Sequence, residues 1–158
     1  MFRKMRRGKQ ALSQEEIRHL LTQETRGVLS VQGDDGYPYG FPINFYYSQE
    51  DNRLYFHGAD FGYHIDALRR DPKVSFCVYG QDVQHPGEWL HYVKSVIIFG
   101  KAVLIDDPKQ MEDIARKLCS KFPCPVGYAD QEIAKDLHRT LCIAVDIENI
   151  NGKLVQES

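Results

Sequence analysis

The run RLYFHGADFGYHIDALRRDPKVSFCVY, residues 53–79, changes period twice and sets the architecture around it. Leu54, Tyr55 and Phe56 are strand formers that lead into Gly58. From about Gly62 to Arg70 the spacing turns helical, with Ile65 and Leu68 on one side. Asp71-Pro72 stops that helix, because a residue before proline is pushed out of the α region, and KVSFCVY then reads as a strand.

Upstream, GVLSVQ, a turn at Asp34-Asp35-Gly36, YPYGFPINFYY, a turn from Ser48 to Asn52 and RLYFHG form three strands linked by two hairpins. Pro38 and Pro42 lack ladder donors, which confines the second strand to an edge, a bulge or an interrupted ladder where a ligand can approach backbone. Before these, Ser13-Gln14-Glu15-Glu16 is a capping box, and Ile17, Leu20 and Leu21 recur at helical spacing, so a first helix covers about 14–24.

Downstream, a loop with Pro86 and Gly87 precedes the longest strand signal, YVKSVIIFGKAVLI, in which Gly100 marks a bulge or tight bend. Asp106-Asp107-Pro108 opens a helix over roughly 108–121, with Met111, Ile114, Ala115 and Leu118 inward. A Cys/Pro-rich loop and a helical stretch near 130–137 follow, and RTLCIAVDIENINGK is the last strand. About six strands in hairpins and meanders with flanking helices predict an α+β, mainly β chain built as a small antiparallel barrel.

The 158 residues and 18.3 kDa suit one domain, and 42% apolar with 27% charged residues suits a packed core. A net charge of −2 gives no global pull towards nucleic acid or an anionic membrane. Arg3, Lys4, Arg6, Arg7 and Lys9 make residues 1–12 a basic tail, expected to be solvated and frayed, and no function is assigned to it. No secretory or membrane-spanning run is present, so the cytoplasm is the expected address. Cys77 and Cys142 sit inside apolar runs, where free thiols behave as small hydrophobes.

The junction LYFHGADFGYHIDAL offers chemistry. A strand delivers His57, glycines follow at 58 and 62, and the first helical turn holds His64. Unpaired amides at a helix N-terminus suit a phosphate or carboxylate, and glycines let the anion approach. Phe41, Phe45, Tyr55, Phe56 and Phe61 could floor a planar ligand, although strand aromatics commonly serve the core. A plain strand-turn-helix connection with satisfied histidines explains the same residues.

Cys119, Cys124, His138 and Cys142 have ligand types close to a structural zinc site. A strand from Arg139 to Val145 would hold His138 and Cys142 about 13 Å apart, so no metal centre is expected. A Cys119–Cys124 redox pair would sit in a loop with Pro123 and Pro125 that offers no helix N-terminus to activate a thiol. Nucleophile-elbow, P-loop and dinucleotide-binding glycine patterns are missing.

Taken together, GYPYGFPINFYY, LYFHGADFGYHIDALRRDPKVSFCV, KSVIIFGKAVLIDDP and RTLCIAVDIENINGK resemble the FMN-binding split-barrel proteins related to pyridoxamine phosphate oxidase, with the nitroimidazole-resistance branch nearest. The likeness runs from about Ser13 to Lys153, and it makes 13–158 a single FMN-binding split-barrel domain. It implies a homodimer of six-stranded antiparallel split barrels with FMN in the clefts between subunits. By that resemblance Pro42, Ile43, Asn44 and Phe45 line the isoalloxazine through backbone groups. His57, Gly58 and Ala59 follow the ring edge and ribityl chain, and the turn from Gly62 to His64 holds the phosphate. Lys94, Ser95 and Val96 complete the cleft from the other subunit. His64 stands where relatives carry lysine, and Trp89 or Tyr92 is placed to cover one flavin face. The implied activity is an FMN-dependent oxidoreductase reducing a small electrophile such as a nitroaromatic or quinone, with His57 beside the reactive face. The alternative is a non-catalytic protein binding flavin, haem or F420.

Overall fold

The structure is a computed structural model that describes residues 1–157; Ser158, at the end of the expected 13–158 domain, lies outside them. Its first helix, α1 (Gln14–Gln23), starts where the capping box predicts. The Ser13 hydroxyl accepts from the Glu16 amide at 3.1 Å, and the Ser13 amide donates to the Glu16 carboxylate at 2.9 Å. Ile17, Leu20 and Leu21 face inward, so capping and the apolar stripe agree.

Antiparallel strands follow: β1 (Arg26–Gln32), β2 (Pro38–Asn44), β3 (Tyr46–Ser48), β4 (Arg53–Ala59), β5 (Lys73–Tyr79), β6 (Val83–Gln84), β7 (His91–Ile105) and β8 (Thr140–Glu157). The predicted second strand is one run that changes partner at Phe45: residues before it pair with β1, residues after it with β4. Its two pieces, together with the two-residue β6 beside β7, raise the expected six strands to eight among the described residues. The order β2-β1-β5-β7-β8-β4-β3 leaves β2 and β3 at opposite edges of one curled sheet. Because β2 and β3 are joined through Phe45 alone, the edges meet at one end and the sheet becomes a split barrel. The prolines fit this arrangement, since Pro38 begins an edge strand and Pro42 lies on it opposite Val28.

Phe45, Phe56 and Phe76 fill the barrel, packing edge to face with centroids 4.9 and 5.2 Å apart. Leu29, Leu54, Val78, Val96, Ile98, Ile143 and Val145 complete this interior, and α1 and α2 (Tyr63–Arg70) cover it. On the other face of β4 and β8, α3 (Pro108–Cys119) sets Met111, Ile114 and Leu118 against Tyr55, Cys142 and Ala144. Burial there pushes the Cys142 thiol up to about 11, which suits a small apolar residue. The β7–β8 register shifts between Phe99 and Gly100, as predicted for that glycine. A Cβ at Gly100 would lie 2.3 Å from the Asp146 carbonyl oxygen, so close backbone approach, not flexibility, demands glycine.

Three local expectations change. The last strand extends to Glu157 because β7 offers it a ladder along its whole length. The helical stretch near 130–137 becomes α4 (Tyr128–Asp136) followed by a 3-10 turn at Leu137–Arg139. The basic tail does not fray: Phe2 stacks on Phe99 at 5.7 Å, Ala11 bridges Lys153, and the Leu12 amide donates to the Gly152 carbonyl at 3.0 Å. Its apolar positions find sheet surface that charge counting overlooks. No helix among the described residues is long and apolar enough to cross a membrane.

Candidate functional site

The split lies between β2 and the far end of β4. β3 pairs with β4 only at Arg53–Tyr55, so from Phe56 to Ala59 one edge of β4 has no strand beside it. The outer edge of β2 is likewise without a strand. His64 stands between them. Its ring centroid is 5.2 Å from that of Phe41 on β2, and its Nε2 is 3.8 Å from where a Cβ on Gly58 would sit. Phe41, Gly58, Gly62 and His64 are thus brought together, and Gly58 leaves an open cradle that any larger side chain would narrow.

Gly62 initiates α2 with φ +121°, a value that glycine adopts freely and other residues rarely adopt. It supplies no side-chain cap, so the first-turn amides lack intrahelical partners and carry the positive end of the helix dipole. The helix is fixed at both ends to the β1–β2 turn. The Asp34 amide donates to the Tyr63 hydroxyl at 2.6 Å, and Arg70 pairs with Asp34 at 2.7 Å. Burial pushes the His64 imidazole below its ordinary pKa, with nearby Asp66 opposing, so without an anion this side chain is mainly neutral at pH 7.

Of the expected ring-lining residues, Pro42 points out from β2, and the Asn44 amide oxygen accepts from Arg26 Nε at 3.0 Å. Ile43 packs on the core, and Phe45 is wholly buried with its amide already donating to the Thr25 carbonyl. Only the remaining backbone groups of this segment can serve a ligand. Strand alternation turns His57 away from Gly58 and His64, into a recess beside Cys119 and Cys142 under α3 and α4. Crowding there pushes the His57 imidazole below its ordinary pKa even though its outer edge is open to solvent. Ala59, the last residue of β4, is exposed opposite Thr140.

Lys94, Ser95 and Val96 are not part of this cluster in one chain. Gly58 pairs with Leu141 and Lys94 with Leu154, which separates them by roughly 40 Å of strand path along β8. Lys94 pairs with Glu16 at 3.3 Å, Ser95 sits on the outer face opposite Tyr79, and Val96 is buried. Trp89 is 81% exposed, and the Tyr92 hydroxyl donates to Glu88 at 2.7 Å.

Two contributors escape a reading of spacing alone. Tyr39 packs edge-on to Tyr63 at 4.5 Å, extending the Phe41 row; the alternation Tyr37-x-Tyr39-x-Phe41 carried that signal. Lys121 reaches back to the C-terminal carbonyls of α1, donating to Leu21 at 3.1 Å and to Glu24, with its ammonium 3.9 Å over the Phe45 ring. No local pattern announces a contact between the turn after α3 and the C-terminal end of α1. The described residues contain no cluster of three or more metal-ligating side chains.

A sequence profile described as pyridoxamine 5'-phosphate oxidase matches residues 13–154, from the α1 cap to the end of the long ribbon. The chain belongs to the pyridoxamine 5'-phosphate oxidase family. Solved structures share the family's split barrel. A proposed 5-nitroimidazole antibiotic resistance protein from Bacteroides thetaiotaomicron superposes with TM-score 0.76 at 18% identity, covering 92% of this chain and 88% of that one. A conserved hypothetical protein from Mycobacterium tuberculosis gives 0.80 at 16%, covering 96% and 90%. An FAD-binding protein from Mesorhizobium loti gives 0.62 at 24%, covering 94% and 97%. No curated protein matches the chain.

Proposed function

We propose that this chain is a flavoprotein that holds FMN at the split between β2 and β4 and reduces a small electrophile such as a nitroaromatic or quinone. The observation that carries the reading is the convergence of Phe41, Gly58, Gly62 and His64 beside two unpaired strand edges. The cradle at Gly58 and the uncapped α2 terminus fit the group: free first-turn amides and His64 would hold the phosphate, and the edge of β4 would follow the ribityl chain. Backbone groups of Pro42–Phe45 would face the isoalloxazine. The family match and FAD-binding structural neighbours support a flavin, and FMN is the form that the uncapped α2 terminus beside His64 would take by its phosphate.

A bound flavin supplies the electron chemistry, and the protein supplies orientation, hydrogen bonds and shielding. His57 opens on the α3 side of β4, where its lowered pKa makes it a neutral hydrogen-bond partner or base rather than a standing acid. Lys94 and Ser95, on β7 beside the far end of β8, would complete the cleft of a second copy. Val28, Ile97, Phe99 and Val103, which point out from the sheet and are 36–42% exposed, support reading this face as the surface for that copy. Apolar side chains spread over one sheet face in this way mark an association surface.

The visible spectrum of the purified protein, followed by titration with FMN, tests the binding claim; a colourless protein that takes up no FMN sinks it. NADH and NADPH oxidation with a panel of nitro compounds tests turnover. A flavin-loaded protein inert to every donor would favour the non-catalytic reading, and a Soret band would point to haem, which a structural neighbour from Mycobacterium smegmatis binds together with FAD.

A further inference from the structure

Between α3, α4 and the end of α2 lies a groove of about 810 Å³, a volume typical of small-molecule sites. A recess of about 110 Å³ continues from it under α4 to His57 and Cys142. Groove and recess share the apolar walls Met111, Ile133 and Leu137. The rim is acidic: Asp60, Asp106, Glu112 and Asp130 line the groove, and Glu132 and Asp136 line the recess.

Two guanidinium groups oppose these six carboxylates. Arg116 is held by Glu112 at 2.9 Å and by Asp130 at 2.7 Å, and Arg69 faces Asp66 outside the groove at 3.9 Å. Asp60, Asp106, Glu132 and Asp136 form no ion pair among the described residues. Excess negative charge in a concave site repels phosphate and concentrates cations. The same charge disfavours an FMN phosphate in this groove and suits the groove to the opposite class of ligand. The outer wall is also loosely held, since α4 contributes no buried residue and has no side-chain cap.

We propose that this groove binds an amphipathic organic cation, with its apolar body against Met111, Ile133 and Leu137 and its cationic centre facing the unpaired carboxylates. The groove lies on the α3 side of β4, away from the Phe41–His64 cradle, and its recess meets the proposed flavin residues only at His57. Berberine, a fluorescent aromatic cation, is the probe, titrated into the full-length protein with and without FMN. A saturable fluorescence rise at one site per chain, unchanged by FMN, is expected. Replacing both Asp60 and Asp106 by Asn weakens berberine about tenfold, since near-surface charges each contribute modestly. Ile133→Arg sets a cation on the apolar wall and abolishes the signal; Ile133 is only partly buried, so the fold survives. Binding that resists both variants, displacement of berberine by FMN, or equal uptake of the anion anilinonaphthalene sulfonate at the same site would overturn the proposal.

Discussion

The His64 imidazole lies 5.2 Å from the Phe41 ring, centroid to centroid, and so bridges the opening between β2 and the far end of β4. A lysine at this position would project a permanent charge; His64 offers one only when protonated, and burial disfavours that form. His64→Lys is therefore expected to tighten FMN about tenfold near pH 8, the difference between a neutral and a charge-assisted hydrogen bond. The gain shrinks as pH falls and native His64 also charges. Fluorescence titration of both proteins checks this, because their affinity ratio cancels the phosphate's own titration; equal affinities at pH 8 would remove His64 from the phosphate site.

Gly58 and Gly62 are expected to separate binding from stability. A Cβ at Gly58 meets only His64, so Gly58→Val should leave the melting temperature nearly unchanged while blocking FMN. Gly62→Ala places an L-residue at φ +121° and should cost about 1–3 kcal/mol in chemical denaturation. Loss of stability in the first variant, or none in the second, would contradict the geometry described.

Ile97 lies on the outer sheet face in the row Val28, Cys77, Ile97, with 42% of its surface exposed. If the proposed dimer forms through this face, Ile97→Arg should convert it into a folded monomer in sedimentation and weaken FMN at least tenfold, because Lys94 and Ser95 would then not reach a neighbouring cleft. A dimer that persists with native affinity would direct the search for an interface elsewhere.

Lys121 gives a pH signature. Burial lowers its pKa from 10.5 to about 8, so the folded chain binds fewer protons than the unfolded chain between those values. Stability should then rise as pH increases through that window, with the cost of burying the ammonium present at full size below it. Urea denaturation at a series of pH values checks the slope, and Lys121→Met should flatten it. A slope of opposite sign would mean that the α1 carbonyls and the Phe45 ring outweigh desolvation.

Much of this was legible in the sequence, for local reasons. The Ser13 capping box, the Pro72 stop and the Gly100 bulge each act within a few residues, so a linear pattern contains them. The partner change at Phe45 was not legible, because it depends on which strand lies across the sheet rather than on the run YPYGFPINFYY itself. The candidate site divides in the same way. Gly62 and His64 follow from spacing around a helix start, and the quoted junction holds both. The orientation of His57 required the pairing with Cys142, and the distance of Lys94 from Gly58 required the whole register of β8. Phe2, in a tail read as solvated because it is basic, depends on Phe99, nearly a hundred residues away.

β8 pairs with β7 on one side and β4 on the other, and it follows both of them in the chain. Until it leaves the ribosome, β4 has only the three-residue β3 beside it and β7 has an open flank along most of its length. A nascent chain ending at Arg139 thus carries two unsatisfied strand edges that could recruit other chains. Barrel closure waits for β8, and losing that strand would do the most harm to solubility.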